Sequence, residues 1–313
     1  MSTLYPQNNA ARTILDLGGI WDFRFHGDEN WQTIAVPASY NDQDPDPRFR
    51  NFAGIVEYRR KITIPRAWKD LRVCLRFDAV THNARVLLNG KEIAKHRGGF
   101  LPFEVELEGL LGPGETAELT VEADNRINHS TLPIGTEGET AFFGSDNPGI
   151  AAVEAGKKFQ EERGINRPAF DFFNYAGIQR AVRLVATPKQ YIRDITLVPS
   201  MNGEVRYTVE TEGDSGTVQI EVLDAEGNTV AHGEGSEGTL TIEQPKLWEP
   251  WPGTPYLYTA RIRFGEDQYE QTFGIREIRV DGTRFLINGK PSGSTARANM
   301  RTVLSADGEA IPA

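Results

Sequence analysis

The run Phe170 to Ile178 reads Phe-Asp-Phe-Phe-Asn-Tyr-Ala-Gly-Ile and sets Asp171 and Asn174 among Phe170, Phe172, Phe173 and Tyr175. A carboxylate and an amide beside aromatic faces suit a sugar: the polar groups hydrogen-bond its hydroxyls while the rings cover its apolar C–H face. The same residues also suit a buried corner in which Asp171 and Asn174 hydrogen-bond the backbone. The pattern alone leaves both readings open, so the substrate-binding candidates are Asp171 and Asn174.

Other groups carry less. Gly233, Gly235 and Gly238 fit G-x-G-x-x-G, but Thr239 to Ile242 after them reads as a strand, and Glu234 and Glu237 would repel a phosphate. A plain turn is expected there, and no cofactor. The five histidines, His26, His82, His96, His129 and His232, show no ligand spacing; His82 and His96 flank one hairpin, yet ordinary hydrogen-bonding roles are expected and no metal. Glu161-Glu162 reads as solvated charge. Asn128-His129-Ser130 fits a glycosylation acceptor, which has meaning only in a secreted chain. The one cysteine, Cys74, allows neither an intrachain disulfide nor a Cys-based zinc site.

The elements that must hold these residues are short strands. Arg72 to Phe77 alternates around Val73, Leu75 and Phe77. Arg85 to Leu88 and Lys91 to Ala94 flank Asn89-Gly90, a pair that readily takes the conformations of a tight hairpin turn. Val105 and Leu107 lead to the break Gly112-Pro113-Gly114, and Leu119 to Val121 continues the ladder. Helix signals are weak; Ile150 to Arg163, interrupted by Gly156, reads as a loop with one helical turn at most, within a long segment from Asn128 to Pro168 that lacks clear strands. Ala181 to Ala186 is strand-like and Thr187-Pro188 ends it. From Tyr191 the strands become evenly spaced: Ile192 to Val198, Val205 to Glu210, Val218 to Leu223, Thr239 to Ile242, Leu257 to Phe264 and Tyr269 to Phe273. That spacing is the arithmetic of an immunoglobulin-like sandwich of about seven strands, resting on its apolar faces and on Trp248 and Trp251. Arg284 to Pro291 then forms one hairpin's worth of sequence after Gly282, and Ser292 to Ala313 is small, polar and patternless.

Composition narrows the function classes. The 313 residues suggest roughly two domains. A formal charge of −10 provides no electrostatic footprint for nucleic acid or an anionic membrane surface. No apolar run approaches the ~18 residues of a membrane span. With no basic-then-apolar leader at the N-terminus, the expected location is cytoplasmic.

Beyond composition, Val36-Pro37-Ala38-Ser39-Tyr40-Asn41-Asp42-Gln43 resembles the entry loop of the sugar-binding domain of glycoside hydrolase family 2. Collinear segments resemble the same family: Tyr58-Arg59-Arg60, Leu75-Arg76-Phe77 with Asn89-Gly90, His96 to Phe103, Phe170 to Ile178, Leu247-Trp248, Tyr256-Leu257-Tyr258, Phe273 to Arg276 and Phe285 to Pro291. Within the family, Asp-Phe-Phe-Asn-Tyr-Ala-Gly-Ile looks most like the β-glucuronidases. The resemblance implies an all-β chain: a jelly-roll sugar-binding domain over 1–188, an immunoglobulin-like sandwich over 189–281, and over 282–313 the stub of a (β/α)8 barrel. It further implies a retaining hydrolase whose two catalytic glutamates lie in the barrel, with Asp171 at the position from which the first domain reaches the barrel's sugar pocket.

The resemblance stops after Pro291. A barrel takes at least about 200 residues, and residues 292–313 follow instead of the family's continuation through Gly-x-Gly-Lys-His-Glu-Asp. Read one base out of frame, Asn299, Met300 and Arg301 are compatible with His-Glu-Asp, so the tail is expected to be a frameshifted continuation; the coding strand across Pro291 checks this. No catalytic residue is therefore expected here. The chain is expected to be the inactive N-terminal part of a β-glucuronidase-type hydrolase, with a glucuronide or related sugar as its ligand and homo-oligomers in the full-length family. The alternatives are a free-standing carbohydrate-binding or scaffold protein, or a β-galactoside or β-mannoside as the substrate class. Apolar patches are expected to be bare near Tyr175, Trp248 and Phe285.

Overall fold

Ten strands build the first sandwich of the chain, seen here in a computed structural model that describes residues 4–128, 131–135, 166, 168, 172–213 and 216–291. They are β1 (Thr13–Asp16), β2 (Gly19–Phe25), β3 (Gln32–Val36), β4 (Ile55–Thr63), β5 (Arg72–Phe77), β6 (Asn83–Leu88), β7 (Lys91–Arg97), β8 (Phe103–Glu106), β9 (Thr116–Asp124) and β10 (Val182–Thr187). A six-stranded sheet runs β3-β2-β4-β9-β6-β7 and a four-stranded sheet runs β1-β10-β5-β8. The period-2 rule drives this arrangement: along β9, Ala117, Leu119, Val121 and Ala123 alternate inward with polar neighbours outward. The inward residues of both sheets join one core, with Trp21, Phe23, Phe25, Tyr58, Leu75 and Phe77 at its centre. Phe23 packs at 5.2–5.6 Å centroid separations against Phe25, Tyr40, Phe49 and Tyr58, spacings at which ring quadrupoles attract.

The Asn89-Gly90 turn joins β6 to β7 as the sequence suggests. Both residues have positive φ, 49° and 78°, the requirement of a tight hairpin turn that matches strand twist. The one α-helix described in this part, α1 (Pro47–Asn51), has Pro47 in its first turn and an Asp46 cap whose side chain accepts from the Arg48 N–H.

Seven further strands make the second sandwich: β11 (Tyr191–Pro199), β12 (Glu204–Glu212), β13 (Gln219–Leu223), β14 (Thr229–Glu234), β15 (Glu237–Thr241), β16 (Tyr258–Phe264) and β17 (Asp267–Phe273). They form sheets ordered β11-β12-β15 and β14-β13-β16-β17. β14 is the strand that the sequence pattern hid, because its glycine looks like a loop residue. Gly233 lies in β14 and Gly238 in β15, while Gly235, at φ 101°, makes the turn between them. Gly238 lies under the Tyr207 ring and Gly233 against Leu240 and the Tyr207 hydroxyl, so the G-x-G-x-x-G spacing is a packed hairpin.

The last three strands, β18 (Ile278–Asp281), β19 (Arg284–Ile287) and β20 (Lys290–Pro291), form a small sheet. Gly282 sits in the β18–β19 turn, so this hairpin starts ahead of it. Cross-strand partners Val280 and Phe285 share a face with Ile278, and all three are exposed. Tyr175 is exposed as well. Trp248, expected bare, is instead half-buried under the Arg276 guanidinium at 4.8 Å. Trp251, expected to support the second core, is 90% exposed; it stands in the turn before Gly253, where no sheet face covers it.

By packing, the chain divides into two units: residues 1–195 with 209–218 and 263–269, and residues 196–208 and 219–262 with those from 270 on. No helix among the described residues is long and apolar enough to cross a membrane.

Candidate functional site

Asn174 is held by a chain of backbone bonds that runs through the loop after β3. Ser39 caps a single 3₁₀ turn, Tyr40–Asp42, and brings Asn41 inside, where its Nδ2 donates to the Phe49 carbonyl at 2.8 Å. The Asn41 Oδ1 accepts from the Ala176 N–H at 2.9 Å, Ala38 N–H donates to Ile178 and Tyr40 N–H to Ala176. On the other side Thr81 and Gly177 exchange backbone hydrogen bonds. The segment from Phe172 to Ile178 is thus clamped on both sides, and Asn174 is fixed relative to the core.

A buried side chain and a backbone carbonyl orient Asn174 itself. The His82 Nε2 donates to its Oδ1 at 2.7 Å, and the Asn174 Nδ2 points toward the Asn125 carbonyl at 3.4 Å. Asn125 is fully used: Nδ2 donates to the Tyr40 hydroxyl at 2.6 Å and to the Phe52 carbonyl at 2.7 Å, and Oδ1 accepts from the Gly54 N–H at 2.8 Å. Buried polar networks that are satisfied in this way fix one geometry. Burial also drives the Tyr40 and Tyr58 hydroxyls far above their ordinary range, so both stay neutral.

This network walls a cavity of about 130 Å³ lined by Arg50, Asn125, Asn166, Phe172, Phe173 and Asn174. The Arg50 guanidinium lies 3.9 Å over the Phe173 ring and pairs with Asp42. Phe172 is 57% exposed and Phe173 meets Tyr175 edge-to-face at 4.7 Å. Amide donors and acceptors beside open aromatic faces are a constellation for a hydroxylated ring.

Of the two residues read from sequence, Asn174 is placed at this cavity; Asp171 lies outside the described residues, as do Ile150 to Arg163, Glu161-Glu162, His129 and the tail from Ser292. His82 and His96 do not share a ligand. His82 serves Asn174, while His96 stacks on Phe103 at 4.3 Å and bonds through Nε2 to the Gly98 carbonyl. The roles of Asn125 and Arg50 left no signal in the sequence, since nothing local distinguishes an asparagine at a strand end from one in a turn.

Burial pulls the His82 imidazole below its ordinary pKa of 6.5, against the opposing help of Asn174, the Leu132 backbone and Asp124. A depressed folded-state pKa means that the unfolded chain takes up the proton first. The stability gained from neutral His82 is complete above pH 6.5 and drains as pH falls toward the lower folded value. Thermal melts at about pH 7.5 and about pH 5.5 should therefore separate more in the wild type than in His82→Gln; equal separations would refute this role of the buried ring.

Comparison with known proteins bears on the two sandwiches as a whole. Residues 14–188 match the family profile described as glycosyl hydrolases family 2, sugar binding domain, and residues 190–276 match that of glycosyl hydrolases family 2. A β-glucuronidase of Paenibacillus borealis is 36% identical over 309 residues, spanning 92% of this chain and 49% of that protein. The Homo sapiens β-glucuronidase is 34% identical over 328 residues, with 92% and 48% covered. Among solved structures, the Faecalibacterium prausnitzii β-glucuronidase superposes with a TM-score of 0.82 at 53% identity, covering 92% of this chain and 50% of that one. A Ruminococcus gnavus β-glucuronidase in complex with D-glucuronic acid superposes at 0.79 with 31% identity, covering 93% and 50%. The chain spans about half the length of the curated relatives it matches.

Proposed function

Because the chain belongs to glycoside hydrolase family 2, we propose that it is the sugar-facing, non-catalytic part of a β-glucuronidase-type hydrolase and turns nothing over by itself. The observation that carries this reading is the Asn174 cavity, in which His82 and Asn125 hold an amide beside Phe172 and Phe173. Retaining hydrolysis needs two carboxyl groups about 5–5.5 Å apart across the glycosidic bond. The described elements are two sandwiches and a small sheet, which in this family brace a catalytic barrel. Glucuronide is preferred to galactoside or mannoside because the relatives named above are β-glucuronidases, one of them solved with D-glucuronic acid. Under this reading 1–188 is the sugar-binding domain, 189–281 the immunoglobulin-like one, and 282–313 the start of the third; Asp171 joins Asn174 at the sugar.

The exposed apolar residues Ile278, Val280 and Phe285 fit a face that another domain covers. A cytoplasmic location suits Cys74, a lone buried thiol that burial pushes up to about 12 and thereby keeps unreactive. Homo-oligomers belong to the full-length form.

A chromogenic aryl β-glucuronide incubated with the purified 313-residue chain should release no aglycone above background. Robust turnover would overturn the proposal. A second reading, a free-standing carbohydrate-binding protein, is favoured by the preformed cavity; calorimetry with glucuronic acid separates the two. Saturable heat supports the second reading, and none supports the first, since half a pocket lacks the contacts needed to offset the costs of association.

A further inference from the structure

The small sheet β18-β19-β20 has two edges, and they are not alike. The β20 edge carries Lys290 and Pro291, residue types that keep an edge from pairing. The β18 edge, Ile278–Asp281, has neither; all its residues are exposed, and no described strand lies along it. Backbone alternation fixes what this edge offers. The Asn288 N–H donates to the Glu277 carbonyl at 3.0 Å, continuing the β18–β19 register, so Glu277, Arg279 and Asp281 turn their main-chain groups toward β19. The N–H and C=O groups of Ile278 and Val280 therefore face outward, unpaired.

The side chains set what can pair there. Glu277, Arg279 and Asp281 alternate in sign on one face, and neither Arg279 nor Asp281 has an ion-pair partner among the described residues. An antiparallel copy of the same strand, centred on Val280, sets Arg279 opposite the partner's Asp281 and Asp281 opposite the partner's Arg279. The two Val280 residues then exchange N–H···O=C bonds. Centring on Arg279 instead opposes Arg279 to itself and Glu277 to Asp281, and like charges directly opposite are destabilising. Centring on Ile278 reaches past the strand to Arg276, whose guanidinium is held over Trp248 at 4.8 Å.

We infer that β18 is a self-pairing edge, on which two copies of this chain join antiparallel about a two-fold axis through Val280 and make one six-stranded sheet from their two three-stranded ones. Such a contact uses the same surface on both copies and closes at two. The axis is normal to the sheet, so Ile278, Val280 and Phe285 of both copies lie on one side, with Val280 against Val280. A contact one strand long falls below the ~1,200 Å² of stable interfaces, so the dimer is weak and follows concentration. It is independent of which sugar the Asn174 cavity takes.

Sedimentation equilibrium on the 313-residue chain tests this. The average mass should climb from that of the monomer toward twice that value between about 10 µM and about 1 mM. Val280→Pro removes one outward N–H and no bond to β19, and should leave a monomer. Arg279→Asp and Asp281→Arg should each weaken association at least about tenfold, because each places like charges opposite at two points. The double variant Arg279→Asp with Asp281→Arg should restore it, and this arm stands even where proline disturbs the hairpin. All three positions are exposed, and unchanged circular dichroism will show that the variants fold. A wild type that stays monomeric throughout, as when residues 292–313 cover the edge, overturns the inference. So does association that survives Val280→Pro and is lost in Phe285→Ser, which would place the contact on the apolar face, and so does a double variant that fails to recover pairing.

Discussion

Asp267→Ala should be the most destabilising single change outside the aromatic core. The Asp267 carboxylate is fully buried and takes both oxygens to Arg12, with Nε to Oδ1 at 2.8 Å and an Nη2 contact to Oδ2 at 2.6 Å. It also accepts the backbone N–H groups of Ile192 at 2.7 Å and Gln268 at 2.9 Å, and Arg12 donates again to the Ile192 carbonyl. The guanidinium then lies 5.0 Å over the Tyr269 ring. All five residues belong to the first packing unit, and they tie its N-terminal segment to 191–193 and 263–269. Removing the carboxylate strands a buried guanidinium and the buried Ile192 N–H, a loss of about 3–5 kcal/mol. The melting temperature of that unit should fall by roughly 10 °C. An apolar pair, Arg12→Met with Asp267→Leu, should recover part of the loss, since replacing both partners leaves no bare charge. A drop under about 1 kcal/mol for Asp267→Ala, at the level of a surface pair, would show that the ion pair is not structural.

How much of this was legible beforehand depends on the range over which each feature is encoded. The Asn89-Gly90 turn is local: two residues with positive φ suffice, and the sequence reads directly. The strands of the second sandwich announce themselves by even spacing, except β14, whose Gly233 lacks a side chain because Tyr207, Ile220 and Leu240 fill the space beside it. Trp251 misleads because indole size argues for a core, whereas the chain turns there and leaves it in solvent. Asn174 stands out by type, between aromatic residues. Its partners do not: His82 is 92 residues away and Asn125 is 49. The loop around Asn41 and the Thr81–Gly177 bridge together draw residues 174–178 into place beside them, and no periodicity in the chain encodes that closure. The Arg12–Asp267 pair, separated by 255 residues, is illegible for the same reason.

Gly177→Ala should disable the site with no change to any group that lines it. Gly177 has φ +97°, a region closed to most side chains, and a Cβ there would collide with the Tyr58 hydroxyl and come within 3.0 Å of the Tyr40 ring. Both tyrosines are fully buried against Phe23, so neither can step aside. Backbone strain of about 1–3 kcal/mol adds to about 1–3 kcal/mol of overpacking. The cheapest escape is for the 172–178 segment to lift off, which breaks the Thr81–Gly177 bridge and the Asn41 clamp on Ala176. Asn174 then leaves His82 and uncovers it, which relieves the burial that is the largest influence on its pKa. The variant should therefore show two linked effects: a melting point lower by about 5–15 °C and a His82 imidazole that titrates nearer its ordinary pH by NMR. A variant that melts lower but keeps the His82 titration unchanged would mean that Gly177 serves packing alone and does not position Asn174.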